Sequence, residues 1–287
     1  MANKILITGA AGFIGRKLSD SLEKVGKSVV QVDNLSETPL IEPKPELLVK
    51  DVQNITSEEI RDYQIDTIVH LAAKKNVKDS FYNLDNSVEN YEMTIKLFNA
   101  ALNSNVKNFF LASTCEIFGF QKNDLNEDSL FKPHSPYAVS KVANEYLANV
   151  YMMLKNDLKI TSLNFFNTYG PTEGLDAVIP NFINKAIENK NIVIEGDGKQ
   201  ARDFTYIDDT VDLLIKIIDS NKYFRSINIG SGQKTTIIQI IDTLKEFFPN
   251  LSIEHTQARP NEIKYFVADN SLIRQNFLFN PRVKIED

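Results

Sequence analysis

The stretch Lys4-Ile5-Leu6-Ile7-Thr8-Gly9-Ala10-Ala11-Gly12-Phe13-Ile14-Gly15 decides how this chain folds. Lys4–Thr8 is a short apolar run ending in glycines. Phe13–Val25 follows at once, with Ile14, Leu18, Leu22 and Val25 at helical spacing. The order predicts a strand, a tight turn and a helix. Glycines at 9, 12 and 15 permit that turn, close approach of backbone to a pyrophosphate, and close packing of helix on sheet. The helix N-terminus adds unpaired N–H groups and a partial positive charge. Any glycine-rich turn shares this spacing, so the context has to carry the reading. A second strand, Ser28–Asp33, ends 18 residues past Gly15 on a carboxylate able to accept from both ribose hydroxyls. That carboxylate repels a 2′-phosphate, so the expected cofactor is NAD rather than NADP. Asp51-Val52 follows a third short strand, Leu47–Val49, and sets an acid where an adenine amino group would lie.

Working outward, Asp66–Leu71, Asn108–Ala112 and Ile160–Phe166 read as further strands, separated by the long helical patterns Asn83–Asn103 and Tyr137–Lys155. Strands alternating with helices of this length predict an α/β fold: a Rossmann-type, doubly wound parallel sheet. Beyond Asn167 the pattern becomes irregular. Turn signals cluster at Gly170-Pro171, Gly196-Asp197-Gly198 and Gly230-Ser231-Gly232, with helices expected near Pro180–Asn189, Asp208–Ser220 and Thr236–Phe248. The expected organisation is a nucleotide-binding domain over residues 1–166. A smaller C-terminal lobe over 167–287 would close over a substrate, some of its segments returning to the first domain.

Composition narrows the function. The 287 residues carry 32 Lys+Arg against 38 Asp+Glu, a net charge of −6, which argues against a general nucleic-acid binder. A single Cys excludes an internal disulfide and a Cys-clustered metal site. His134 and His255 lack ligand spacing, so no metal is expected, and His70, at a strand end beside the cofactor loop, reads as structural. No apolar run approaches the ~18 residues needed to span a bilayer, and the N-terminus lacks a signal-peptide pattern, so a cytoplasmic protein is expected.

Tyr137 and Lys141 stand four apart behind Ser135-Pro136, on one face of a helix. A phenol of pKa about 10 serves as a base at neutral pH only if lowered by about three units, or ~4 kcal/mol. An ammonium ~4 Å away, at an effective dielectric of ~20, supplies that much. The pair is a catalytic candidate, although Tyr-x-x-x-Lys is common by chance.

With the TGAAGFIG turn, Asp33-Asn34-Leu35, His70-Leu71-Ala72-Ala73, Ala112-Ser113-Thr114, SPYAVSK at 135–141, FNTYGP at 166–171, GDGKQARDF at 196–204, NIGSG at 228–232 and Arg259-Pro260, the chain resembles the extended short-chain dehydrogenase/reductases. Within them it is similar to the NAD-dependent nucleotide-sugar epimerase/dehydratase family. The resemblance implies NAD held by Gly9, Gly12, Phe13, Ile14, Gly15, Asp33, Asn34, Asp51, Val52, Leu71, Ala72, Ala73, Tyr137 and Lys141. It implies that Tyr137 takes the proton of a sugar hydroxyl, usually at C4, that Lys141 holds the nicotinamide ribose and depresses the Tyr137 pKa, and that Thr114 binds the same sugar oxygen. Asn167, Arg202 and Arg259 would grip a nucleotide diphosphate, Asn90 would be structural as much as catalytic, and the two long helices would pair into a four-helix homodimer interface. Relatives also continue past Asn280-Pro281 into a terminal helix, so an abbreviated substrate lobe is expected.

Within the family, Glu116 stands where 4,6-dehydratases and UDP-glucuronate decarboxylases carry Glu, which makes it the candidate C5 base. Cys115 falls where dehydratases place a residue near the leaving C6 hydroxyl, and reads either as a weak acid or as an inert packing residue. The expected activity is a nucleotide-hexose 4,6-dehydratase. A 4-epimerase, a net 4-dehydrogenase and a catalytically inactive dinucleotide-binding module remain alternatives.

Overall fold

Short apolar runs alternating with amphipathic helices give a parallel sheet with helices between its strands. A computed structural model of the chain describes residues 4–37, 40–121, 123–220, 222–258 and 263–287. The first elements are β1 (Lys4–Thr8), α1 (Phe13–Lys24), β2 (Ser28–Asp33), β3 (Leu48–Val49), α2 (Ser57–Asp62), β4 (Ile65–His70), α3 (Val77–Tyr82) and α4 (Asp85–Leu102). Then come β5 (Asn108–Thr114), a 3₁₀ turn at Cys115–Phe118, α5 (Pro136–Leu154), β6 (Lys159–Phe165), β7 (Asn167–Tyr169), α6 (Val178–Ile187) and β8 (Ile192–Glu195). The chain finishes with β9 (Ala201–Tyr206), α7 (Ile207–Asp219), β10 (Ser226–Ile229), β11 (Lys234–Thr236), α8 (Ile237–Phe247), β12 (Ile253–Thr256), β13 (Tyr265–Phe266) and α9 (Ser271–Phe277).

The central sheet has seven strands in the order β10-β6-β5-β4-β1-β2-β3. Its neighbours from β6 to β3 pair in parallel, as the Rossmann-type expectation requires. The chain adds strands to one side of β1 and then to the other, so the C-terminal ends of β1 and β4 flank the point where the order reverses, the ligand-binding edge of such sheets. Below that edge Phe98 of α4 is fully buried, its ring 4.8 Å from Phe109 of β5 and 5.0 Å from Tyr151 of α5. These aromatic contacts tie both long helices to the sheet.

Caps explain where the elements start. Ser135 Oγ accepts from Ala138 N at 3.1 Å and Pro136 occupies the first turn, which fixes the start of α5. Sequence reading missed α2, although Thr56 and Glu59 form a reciprocal capping box there. It also missed α3, which Asn76 caps and which stops at Asn83, where the backbone turns extended. The strand expected at Asn108–Ala112 runs on to Thr114, so the 3₁₀ turn of Cys115 and Glu116 begins directly at the sheet edge.

The chain divides into two compact units. The first comprises residues 1–119, 130–165 and 211–227, and the second 120–129, 166–210 and 228–287. Thus the stretch 211–227 packs with the nucleotide-binding sheet, whose edge β10 extends. In the second unit β9 pairs with β7 and β13 in parallel and with β11 antiparallel, over a core of Phe182, Ile194, Phe204, Ile240 and Leu244. Fully buried Asp203 accepts from Ser231 N (2.8 Å), Gly232 N (2.8 Å) and Ala268 N (3.2 Å), anchoring the Gly230–Gly232 turn. Asp209 accepts from Arg282 Nε at 2.9 Å and from the backbone of Arg282 and Val283, which fastens the C-terminal segment. Among the described residues no helix is long and apolar enough to cross a membrane.

Candidate active site

The turn after β1 is built for a backbone-lined cradle. Gly9 has φ +71°, and a β-carbon there would lie 2.7 Å from Ala72 N. One on Gly15 would lie 2.1 Å from Gly9 O, inside any tolerable contact with rigid backbone. Gly12 caps α1 without a side-chain hydrogen bond, and no acid sits in the first turn, so the helix dipole there meets no counter-charge from its own first turn. Phe13 and Ile14 begin that helix. Asp33, at the end of β2, accepts from Ala11 N at 3.0 Å and Leu35 N at 2.8 Å, which holds its carboxylate beside the glycine turn. Asp51 accepts from Gln53 N (2.8 Å) and Asn34 Nδ2 (3.0 Å), and Val52 next to it is buried. The bare turn, the uncapped helix and the two carboxylates fit a dinucleotide with free ribose hydroxyls.

A buried network fixes the opposite wall, Leu71–Ala73. Thr94 donates its proton to Asn90 O at 2.8 Å, so its oxygen accepts from Asn144 Nδ2 (3.0 Å) and from His70 Nε2–H (3.3 Å). His70 Nδ1 therefore accepts the Thr8 hydroxyl at 2.7 Å, and the Thr8 oxygen accepts from Ala72 N at 3.4 Å. Burial, with the nearby Lys141 charge as a smaller cause, pushes the imidazole down to about 3, so it is neutral at physiological pH. Asn90 clamps the same loop through Lys74 N (2.8 Å) and Lys74 O (3.0 Å).

The end of β5 meets the first turns of α5. Tyr137 and Lys141 are both buried there, and Lys141 Nζ donates to Ala112 O at 2.9 Å while lying 5.7 Å from the Tyr137 ring centroid. Thr114, next along the strand end, hydrogen-bonds Tyr137. The depressed Tyr137 pKa expected from Lys141 is not found in the chain by itself. Burial raises the phenol well above its ordinary value, Cys115 and Glu116 push the same way, and the Thr114 bond only partly offsets them. Desolvation of the buried phenol is the largest cause, and Lys141, whose ammonium donates to the Ala112 carbonyl, is not among the groups that lower it. Thr114, Cys115, Glu116, Tyr137 and Lys141 thus lie together in the first unit. Asn167 is exposed on β7 and Arg202 half-buried on the next strand, β9, its guanidinium 5.4 Å from the Phe266 ring; both belong to the second unit. Arg259 lies outside the described residues.

Sequence reading passed over Ser113 and Glu145. Glu145 is 7% exposed and accepts the Ser113 hydroxyl. Its only signal in the sequence is a third position, four residues after Lys141, on the same helix face.

Residues 5–230 match the NAD dependent epimerase/dehydratase family. The chain belongs to that family. This epimerase/dehydratase family member is 34% identical over 300 residues to the UDP-glucuronate 4-epimerase of Thermodesulfobacterium geofontis (strain OPF15), a match spanning 98% of this chain and 92% of that protein. Its fold matches TunA, an NAD-dependent NDP-hexosamine 5,6-dehydratase of tunicamycin biosynthesis, with a TM-score of 0.92 at 34% identity over 99% of this chain and 94% of the other. The UDP-glucuronic acid 4-epimerase of Bacillus cereus, solved with UDP-glucuronic acid and NAD, gives a TM-score of 0.89 at 30% identity over 99% and 96%. The family is NAD-dependent, and the relatives of this member include 4-epimerases, 4,6-dehydratases and decarboxylases of nucleotide sugars.

Proposed function

We propose that this family member is a nucleotide-hexose dehydratase. It oxidises the sugar at C4 and expels water across C5–C6, with Glu116 as the C5 base and Cys115 as the acid at C6. One observation carries the reading: Cys115 and Glu116 follow directly on Thr114, the strand-end residue that hydrogen-bonds Tyr137, in the 3₁₀ turn at the edge of the sheet. A sugar whose C4 hydroxyl meets Tyr137 would then have a carboxylate and a thiol within reach of its next carbons.

Tyr137, as phenolate, takes the proton of the C4 hydroxyl while Thr114 hydrogen-bonds the same oxygen. Lys141 and the positive charge of oxidised nicotinamide are the groups available to stabilise the phenolate against burial. The glycine turn, Asp33 and Lys141 would hold NAD, which would supply a reversible hydride acceptor for C4. Glu116 would return its proton to C5 in a 4,6-dehydration, in which the hydride ends on C6, and Tyr137 would return its proton to the C4 oxygen in a 5,6-dehydration, in which the hydride ends on C4. The C4 ketone acidifies C5–H, the Glu116 carboxylate removes that proton, and the C6–O bond breaks as the Cys115 thiol protonates the departing oxygen. Asn167, Arg202 and Arg259 are the proposed diphosphate contacts, which would localise positive charge in an acidic protein. Val139, Tyr146, Val150 and Met153, spaced along one face of α5 and 49–80% exposed, are proposed as the core of a homodimer interface. A monomeric mass by light scattering would refute that interface.

The test is incubation of NAD-loaded protein with UDP-glucose, UDP-N-acetylglucosamine and dTDP-glucose, followed by mass spectrometry. Loss of about 18 mass units supports dehydration; a substrate oxidised at C4 without that loss refutes it. A borohydride-reducible ketone in the product marks the 4,6 outcome, and its absence the 5,6 outcome. The second reading, 4-epimerisation, is favoured by the 34% identity to a UDP-glucuronate 4-epimerase. It leaves mass unchanged and inverts C4. An inactive module would change neither the mass nor the C4 configuration of any sugar, and Tyr137→Phe would then change nothing.

A further inference from the structure

Tyr137, Lys141 and Glu145 form one stripe along α5, and that stripe meets three consecutive residues of β5. Thr114 hydrogen-bonds Tyr137, Ala112 O accepts from Lys141 Nζ at 2.9 Å, and the Ser113 hydroxyl donates to Glu145. The proposed chemistry uses the tyrosine and the lysine and has no task for the carboxylate. Yet burying a carboxylate is costly unless it is hydrogen-bonded or paired. The groups facing Glu145 are Lys141 on its own helix, Ser113 from β5, Ser162 from β6 and Arg225 from the segment leading into β10. Glu145, Ser162 and Arg225, with Phe131 and Ile160, line a cavity of about 10 Å³, space for about one water.

We propose that Glu145 is a positioning residue for Lys141: its carboxylate, clamped by Ser113, keeps the lysine in its ammonium form and seated against β5. The inference rests on reading Lys141 as a site residue and is independent of which reaction follows. A lysine enclosed by protein sheds its proton readily, because burial disfavours charge. Lys141 is pushed down by burial to about 8, and Glu145 is the group that opposes the fall. Glu145 is itself pushed up by burial to about 7, held from rising further by Ser113 first, then Arg225 and Lys141. Without the carboxylate, Lys141 would lose its charge at a lower pH, and with it its hold on the Ala112 carbonyl and its support for the Tyr137 phenolate.

The experiment is a pH titration of Lys141 by its ¹³Cε resonance in the full-length protein, assigned by the signal that Lys141→Arg removes. Glu145→Gln keeps the shape of the side chain and an acceptor for Ser113 while removing the charge. The expected result is a Lys141 midpoint lower by about one pH unit, a tenfold loss of proton affinity, restored by Glu145→Asp. An unchanged midpoint overturns the proposal. Should Glu145→Gln fail to fold, Ser113→Ala is read the same way: it removes the bond that favours the charged carboxylate, so the Lys141 midpoint must again fall, and an unmoved midpoint overturns the proposal. No substrate enters the titration, so failure of the dehydratase reading leaves this result interpretable. As a second readout, NAD affinity by calorimetry at pH 8.5 is expected to fall several-fold in Glu145→Gln and to recover in Glu145→Asp; equal affinities would count against the proposal.

Discussion

The neutral, buried His70 makes a prediction whose size follows from its surroundings. Its folded value of about 3 lies below the ordinary 6.5 because burial disfavours the imidazolium. Between those values the unfolded chain binds the proton and the folded chain does not. The stability this group contributes is therefore complete above about pH 6.5 and is lost as pH falls toward 3. Integrated from pH 7 to pH 5, the loss is about 2 kcal/mol. The perturbation is His70→Gln, which retains a donor toward Thr94 and cannot take up a proton. Urea unfolding of both proteins at the two pH values, followed by far-UV circular dichroism, gives the comparison. Opposing contributions from other groups, such as the raised Glu145, are common to both and cancel in the difference. The wild-type protein is expected to lose about 2 kcal/mol more than the variant. In parallel, the His70 ¹³Cε1 resonance, identified by its disappearance in the variant, should hold its neutral position down to about pH 4. An imidazole that titrates between pH 6 and 7, or equal losses in the two proteins, would refute the buried network.

Three further outcomes follow from the site. Gly15→Ala forces a β-carbon to within 2.1 Å of Gly9 O, so NAD binding by calorimetry should fall by more than tenfold while far-UV circular dichroism stays close to wild type. Tyr137→Phe should lower C4 oxidation by about 10²–10⁴-fold in single-turnover absorbance of reduced NAD, the range for loss of a general base, with NAD affinity little changed. Glu116→Gln should preserve that first oxidation but abolish exchange of the sugar C5 proton with deuterated solvent, read by NMR; persisting exchange would remove Glu116 from the reaction.

The parts legible in the sequence are those set by local pattern. The β1 turn, the carboxylate ending β2 and the Tyr137–Lys141 spacing all depend on neighbours within a turn or two of helix, and they stand together in the first unit. What escaped is non-local or short. The six-residue helices α2 and α3 carry too few apolar positions to show a period, and only the Thr56–Glu59 box marked one of them. Which C-terminal segment returns to the first unit, 211–227, depends on pairing at the edge beside β6, which no local pattern encodes. Burial of Glu145 was hidden because an acid on a long helix ordinarily faces water, and only the partner strand shows that it does not. The expected drop in the Tyr137 pKa failed for a related reason: spacing places the ammonium but does not report how completely the phenol is enclosed.

The match between three consecutive β5 residues and three positions along α5 also bears on how such an enzyme changes its chemistry. Sliding α5 by one residue would swing each side chain about 100° around the helix and shift it about 1.5 Å along the axis, breaking all three contacts together. The tyrosine and lysine are therefore specified as a rigid unit with the strand. Cys115 and Glu116 lie just past the last locked residue, on a short turn with its own geometry. Substitutions there can redirect the fate of an oxidised sugar without disturbing the apparatus that oxidises it, so new reactions can evolve on one side of Thr114 while the other stays fixed.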